Sequence, residues 1–153
     1  MDTKVKLVRT ASDNPDFRYL VAALDADLAL RDGAEHAFYN QYNGIVNLNR
    51  AVLAYLGSLA VGCGALKEFG HDALEVKRMY TLPEYRGRGV AGEVLRALEQ
   101  WAFQEGFRRC VLETGQRQPE AIALYERHGF TRIPNFGPYV GVANSLCFEK
   151  KLE

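Results

Sequence analysis

The sequence predicts an α/β fold: a mixed, mainly antiparallel sheet of about six or seven strands, built as a single domain over residues 1–153. Three observations carry this. Short apolar runs recur at 51–55, 59–66, 73–81, 109–114 and 145–151, and in residues 73–81 the side chains alternate between two faces. Between residues 73 and 114 a strand, a glycine-rich turn, a long amphipathic stretch and another strand follow in the order of a βαβ unit. At 153 residues, nearly half of them apolar, the chain can bury one substantial core.

Taken in order, Val5, Leu7 and Val8 mark a first strand. Asp13-Asn14-Pro15 then joins a capping residue to a proline suited to the first turn of a helix. Phe17, Leu20, Val21, Leu24, Leu28 and Leu30 recur at near-helical spacing up to Asp32-Gly33, a helix stop. From Ala34 to Asn49 the periodicity weakens, which predicts a second short helix and a loop. The aromatic residues there (His36, Phe38, Tyr39, Tyr42) serve either packing or a substrate wall. Gly57-Ser58 closes a hairpin between 51–55 and 59–66. In the strand 73–81, strict alternation puts Glu75, Lys77, Met79 and Thr81 on one face and Leu74, Val76, Arg78 and Tyr80 on the other. Charges on both faces are expensive to bury unpaired, so this strand either holds a structural ion-pair network or opens onto a solvated cleft.

Pro83 ends that strand. Ala91, Val94, Leu98, Trp101 and Ala102 form the buried stripe of the next helix, which Gly106 terminates, and residues 109–114 form the strand beyond it. Pro119 and Glu120 open a short helix with Ile122, Tyr125 and His128 on one side, closed by Gly129-Phe130. A few residues of strand, a Pro/Gly-rich excursion over 134–141 and a last strand over 145–151 complete the chain, the last two strands pairing.

Nineteen basic residues balance nineteen acidic ones, so no broad positive field exists for nucleic acid or an anionic membrane, and a phosphate ligand must be small and held locally. Cys63, Cys110 and Cys147 are odd in number and lie in apolar, strand-like runs, as buried thiols of a reducing compartment do. No Cys or His pair has metal-ligand spacing. With no apolar leader core and no run of membrane-spanning length, the expected setting is cytoplasmic.

One stretch gathers binding chemistry. In Glu84-Tyr85-Arg86-Gly87-Arg88-Gly89-Val90-Ala91-Gly92 the glycines bare the backbone amides and the following helix aims its positive end at the same spot. Arg86 and Arg88 add charge-assisted donors for phosphate oxygens. A plain strand-to-helix turn with solvated arginines is the competing reading, and only context separates the two.

Two motifs in order supply that context. Arg86-x-x-Gly89-x-Ala91 follows a strand ending Met79-Tyr80-Thr81, and Ala121-Ile122-x-Leu124-Tyr125-Glu126-x-x-Gly129-Phe130 comes after it. The combination resembles the GNAT superfamily of acyl-CoA N-acyltransferases over about residues 73 to 130. The resemblance implies helices on both sheet faces and a β-bulge or splay at the cofactor groove. It implies acetyl-CoA as cosubstrate, its pyrophosphate on the amides of Arg88, Gly89, Val90, Ala91 and Gly92, with Arg86 and Gly87 alongside, and its pantetheine arm along Met79, Tyr80 and Thr81. Gln118 falls where many members carry an asparagine that contacts the pantetheine, and its amide sits on a longer stem. Small members are commonly dimers, so a homodimer is an expected assembly.

Acetyl transfer from a thioester to an amine requires a neutral nucleophile, a held oxyanion and a proton for the departing thiolate. Glu75 is the candidate base, directly or through water, or else a member of a structural ion pair. A main-chain N–H near Met79 suits the oxyanion. Tyr125 lies where the family's tyrosine approaches the sulfur and can donate to the thiolate; without the motif it reads as core. His71 in a turn and His128 at a helix C-terminus, where an imidazolium is welcome, need no catalytic role. An acyl-enzyme through Cys147 requires more assumptions than direct transfer. The acceptor expected is a small amine-bearing metabolite, with a peptide or protein amine as the broader class. The alternative is a CoA-binding sensor without acceptor turnover, which gains if Glu75 is locked in an internal ion pair.

Overall fold

The computed structural model describes residues 4–33 and 48–153. Its strands are β1 (Lys6–Thr10), β2 (Arg50–Leu56), β3 (Leu59–Phe69), β4 (Ala73–Thr81), β5 (Arg109–Gly115), β6 (Thr131–Ile133) and β7 (Ser145–Lys151). The helices are α1 (Pro15–Asp32), α2 (Val90–Gln104) and α3 (Pro119–Arg127). The seven strands form one sheet in the order β1-β2-β3-β4-β5-β7-β6. Every neighbouring pair is antiparallel except β4 with β5. The last two strands do pair, and β7 sits between β5 and β6. Among the described residues no helix is long and apolar enough to cross a membrane.

Local chemistry explains the element ends. Asn14 caps α1, its Oδ1 accepting the Asp16 N–H at 2.9 Å, and Gly33, at φ 55°, ends the helix. The predicted second helix and its aromatic residues between 34 and 47 lie outside the described residues. The two faces of the sheet then take different helices. Phe17, Leu20 and Val21 of α1 pack on Ala51, Leu53, Cys63 and Ala65. On the other face, Val94, Leu95 and Leu98 of α2 pack on Val52, Leu66, Leu74, Val76 and Leu112, joined by Tyr125 of α3.

A bulge corrects the alternation expected in β4. Cys63 pairs with Tyr80 and Ala65 with Lys77, so Gly64 alone faces both Arg78 and Met79. Arg78 takes up the extra residue at φ 59°. Leu74 and Val76 precede the bulge on the α2 face, yet Met79 packs with them on that face rather than with Glu75 and Lys77. Arg78 reaches α1 instead, and Tyr80 packs in the α1 cluster. Glu75 and Lys77 are therefore across the sheet from Met79. Gly64 lets the sheet and α2 meet there: a Cβ on it would lie 2.6 Å from Met79 Sδ and 2.9 Å from Leu98 Cδ1.

The second feature is a wedge. β4 and β5 pair only from Ala73 with Arg109 to Glu75 with Val111. Beyond Glu75 β4 remains bonded to β3, and beyond Val111 β5 remains bonded to β7, so the sheet opens between them.

Candidate active site

A cavity of about 520 Å³ occupies this wedge. Its wall brings together Met79, Tyr80 and Thr81 from β4, Arg86, Gly87, Gly89, Val90, Ala91 and Gly92 from the turn and first turn of α2, and Gln118 and Tyr125 from α3. Two predicted site residues are outside that wall. Arg88 is exposed, its guanidinium 5.2 Å from the centre of the Tyr85 ring, and Glu75 is buried beside β5.

The turn is shaped for an anion. Gly89 precedes α2 in the left-handed region, at φ 83°, and among the described residues no side chain caps the helix. The N–H groups of the first turn, Val90 to Gly92, therefore have neither an intrahelical acceptor nor a side-chain cap. A Cβ on Gly92 would lie 2.8 Å from His128 Nε2, so a glycine is what lets the α2 N-terminus approach the end of α3. Arg86 has a structural duty as well: its Nε–H donates to the Thr81 carbonyl at 2.9 Å, and its guanidinium lies 5.3 Å from the Tyr80 ring centre. It thus ties the turn to the end of β4.

Across the cavity, Tyr125 is 7% exposed, edge-on to Phe130 at 5.8 Å and tilted against Phe148 at 6.5 Å. Burial, with a smaller contribution from the Glu113 charge, pushes its phenol well above the ordinary range, so it stays protonated at neutral pH. Gln118 is the residue before α3, and its carbonyl accepts the Ala121 and Ile122 amides at 3.1 and 3.2 Å.

On the α1 side, Glu75 and Lys77 form a buried pair, Oε2 to Nζ 3.5 Å, each side chain 8% exposed. Burial holds the Lys77 ammonium below its usual range, with the Glu75 charge opposing. Lys77 also contacts Tyr139 Oη at 3.5 Å and lines the cavity, as do Arg78, Asp27 and Glu113. Sequence reasoning missed Lys77 and Arg78 as site residues; the one available signal was that charges occupy both predicted faces of β4. Cys147 is buried against Tyr139, away from the cavity wall, and burial raises its thiol pKa, which leaves it poorly suited to attack.

His128 departs from expectation. Burial, reinforced by Arg96, lowers its pKa despite its place at a helix end. The unfolded chain then takes up a proton near pH ~6.5 where the folded chain does not. Its stability contribution is complete above that pH and is lost as pH falls toward the depressed folded value. Thermal melts from about pH 7.5 to about pH 5 should show a fall in Tm that is smaller in His128→Gln. Equal slopes would remove His128 from the balance.

Known proteins share this architecture. The acetyltransferase (GNAT) family model matches residues 12–130. An IAA acetyltransferase of Azospirillum brasilense is 39% identical over 106 residues, covering 67% of this chain and 68% of its own. A Klebsiella pneumoniae structure, provisionally named an acyl-CoA N-acyltransferase, superposes with a TM-score of 0.83 at 31% identity, covering 99% of this chain and 100% of its own. A GNAT family acetyltransferase of Elizabethkingia anophelis with acetyl-CoA bound has the same fold, with a TM-score of 0.68 at 16% identity over 97% of this chain and 99% of its own. The wedge, the glycine turn and the α3 tyrosine thus occur within a matched family span that covers most of the chain, which belongs to the acetyltransferase (GNAT) family and is an acyltransferase.

Proposed function

We propose that this chain, as one catalytic domain over residues 1–153, transfers acetyl from acetyl-CoA to the primary amine of a small molecule by direct attack. The observation that supports this most is the wedge, with the uncapped start of α2 and the Tyr125 phenol on its walls. The acetyl-CoA bound to the Elizabethkingia structure of the same fold adds support for the donor. The diphosphate lies on the amides of Arg88 to Gly92, and the pantetheine arm runs along Met79, Tyr80 and Thr81 past Gln118. A main-chain N–H at the bulge beside Met79 receives the carbonyl oxygen.

The amine nitrogen bonds to the thioester carbon, and a tetrahedral intermediate forms. Collapse breaks the C–S bond. The proton leaving nitrogen passes to Lys77 as Lys77 hands one of its own to the Glu75 carboxylate, an exchange assisted by the burial that disfavours its ammonium. The Tyr125 hydroxyl donates to the departing thiolate. A CoA-binding module without turnover is the second reading, favoured by the internal Glu75–Lys77 pair. Acetyl-CoA-dependent thiol release over a panel of primary amines separates them. Turnover with any amine supports the enzyme, and CoA binding with none supports the module.

A further inference from the structure

We infer that the acceptor carries a carboxylate close to its amine, and that Arg78, on the β4 bulge, receives it. This rests on the acetyl-transfer reading and names its substrate class. The Arg78 side chain is 2% exposed. Its Nη2 is matched by Asp25 of α1, at 2.9 Å from Oδ1 and 3.1 Å from Oδ2. Its Nε and Nη1 are buried with no hydrogen-bond partner among the described residues. A guanidinium cannot shed its proton to escape that position, and buried donors without acceptors are rare because they forfeit their hydration for nothing. We place the missing acceptor on a ligand that enters through the cavity, whose wall includes Arg78, and the enclosed guanidinium must shift toward that wall to meet it.

The backbone adds an independent argument. Arg78 sits at φ 59°, where Gly or Asn would be less strained, so this side chain is held at the bulge against a local conformational cost. The Cys63 thiol contacts the Arg78 carbonyl at 3.3 Å and helps fix that geometry. The bulge also turns Arg78 toward α1 while the next residue, Met79, packs toward α2. The anion receptor and the thioester side are thereby separated by one strand's thickness. A donor arriving along the turn and an acceptor arriving from α1 can meet in the wedge without competing for one surface.

The remaining charges select the kind of anion. Asp27 and Glu113 share the cavity wall with Arg78 and Lys77. Carboxylates there suit the ammonium end of an amino acid and disfavour a doubly charged phosphate, while a carboxylate supplies two acceptor oxygens for the unmatched N–H groups.

The test compares matched acceptors. Wild-type enzyme with acetyl-CoA is assayed by thiol release on the standard L-amino acids, β-alanine and γ-aminobutyrate, each beside its primary carboxamide. The acid of at least one pair should have a kcat/KM about tenfold or more above its amide. In Arg78→Asn, a residue that tolerates the left-handed backbone, the KM for that acid should rise by about tenfold or more and the preference over the amide should disappear. Calorimetry with acetyl-CoA alone should give wild-type affinity for the variant, which also verifies its fold. Amides turned over as well as acids by the wild type, or acetyl-CoA binding with no amino acid turned over, overturns the inference without any variant. So does an unchanged KM in Arg78→Asn. Absence of acetyl-CoA binding to the wild type removes the acetyl-transfer reading itself, and is told apart from the other outcomes by that calorimetric arm.

Discussion

Replacing Tyr125 by Phe is expected to lower kcat by about a hundredfold while leaving acetyl-CoA affinity within about twofold of wild type. The substitution removes one oxygen and keeps the ring, so the contacts with Phe130 and Phe148 survive and the fold should too. The raised phenol pKa sets the form of the effect. A tyrosine that stays protonated past its ordinary value of ~10 can donate throughout the neutral range, so wild-type turnover should show no alkaline loss attributable to it below that pH. Transfer to a thiolate from so weak an acid is uphill, so its contribution lies in a hydrogen bond that strengthens as the C–S bond breaks. Two measurements check this: steady-state kinetics across pH, and calorimetric acetyl-CoA binding to the variant. Unchanged kcat in Tyr125→Phe means that water protonates the thiolate and returns Tyr125 to the core.

What was legible in the sequence, and what was not, follows from the range of each interaction. The hairpin at Gly57-Ser58, the Asn14 cap and the glycine turn before α2 are written in neighbouring residues, and each is found where local chemistry puts it. Tyr125 was legible through its flanking motif, and the structure puts it in the cavity wall. The bulge was not legible, because the left-handed position is filled by Arg78 rather than by glycine or asparagine. One inserted residue reversed the faces of everything after it, so alternation grouped Glu75 with Met79 although the sheet separates them. The wedge and the seating of β7 between β5 and β6 depend on pairings between distant strands that no local pattern encodes. Likewise, the Asp25 partner of Arg78 lies 53 residues away on α1.

The buried Glu75–Lys77 pair should yield the largest stability effects in the chain. Glu75→Leu leaves an ammonium in a site that already disfavours it, and Lys77→Met leaves a carboxylate; breaking a buried pair in this way costs about 3–5 kcal/mol. The two losses should be unequal. Glu113 also acts favourably on the Lys77 charge, so Glu75→Leu retains one stabilising carboxylate, whereas Lys77→Met takes the cation away from both. The double variant replaces two charges with apolar volume and should recover much of the stability, with a coupling energy of about 2 kcal/mol or more by urea denaturation. Turnover then discriminates between the roles. If Lys77 carries the amine's proton, the double variant is stable yet loses kcat by about a hundredfold, and raising the pH restores it in part by supplying more neutral amine. A double variant that regains both stability and turnover makes the pair purely structural, and the acceptor must then lose its proton to solvent through the open mouth of the wedge.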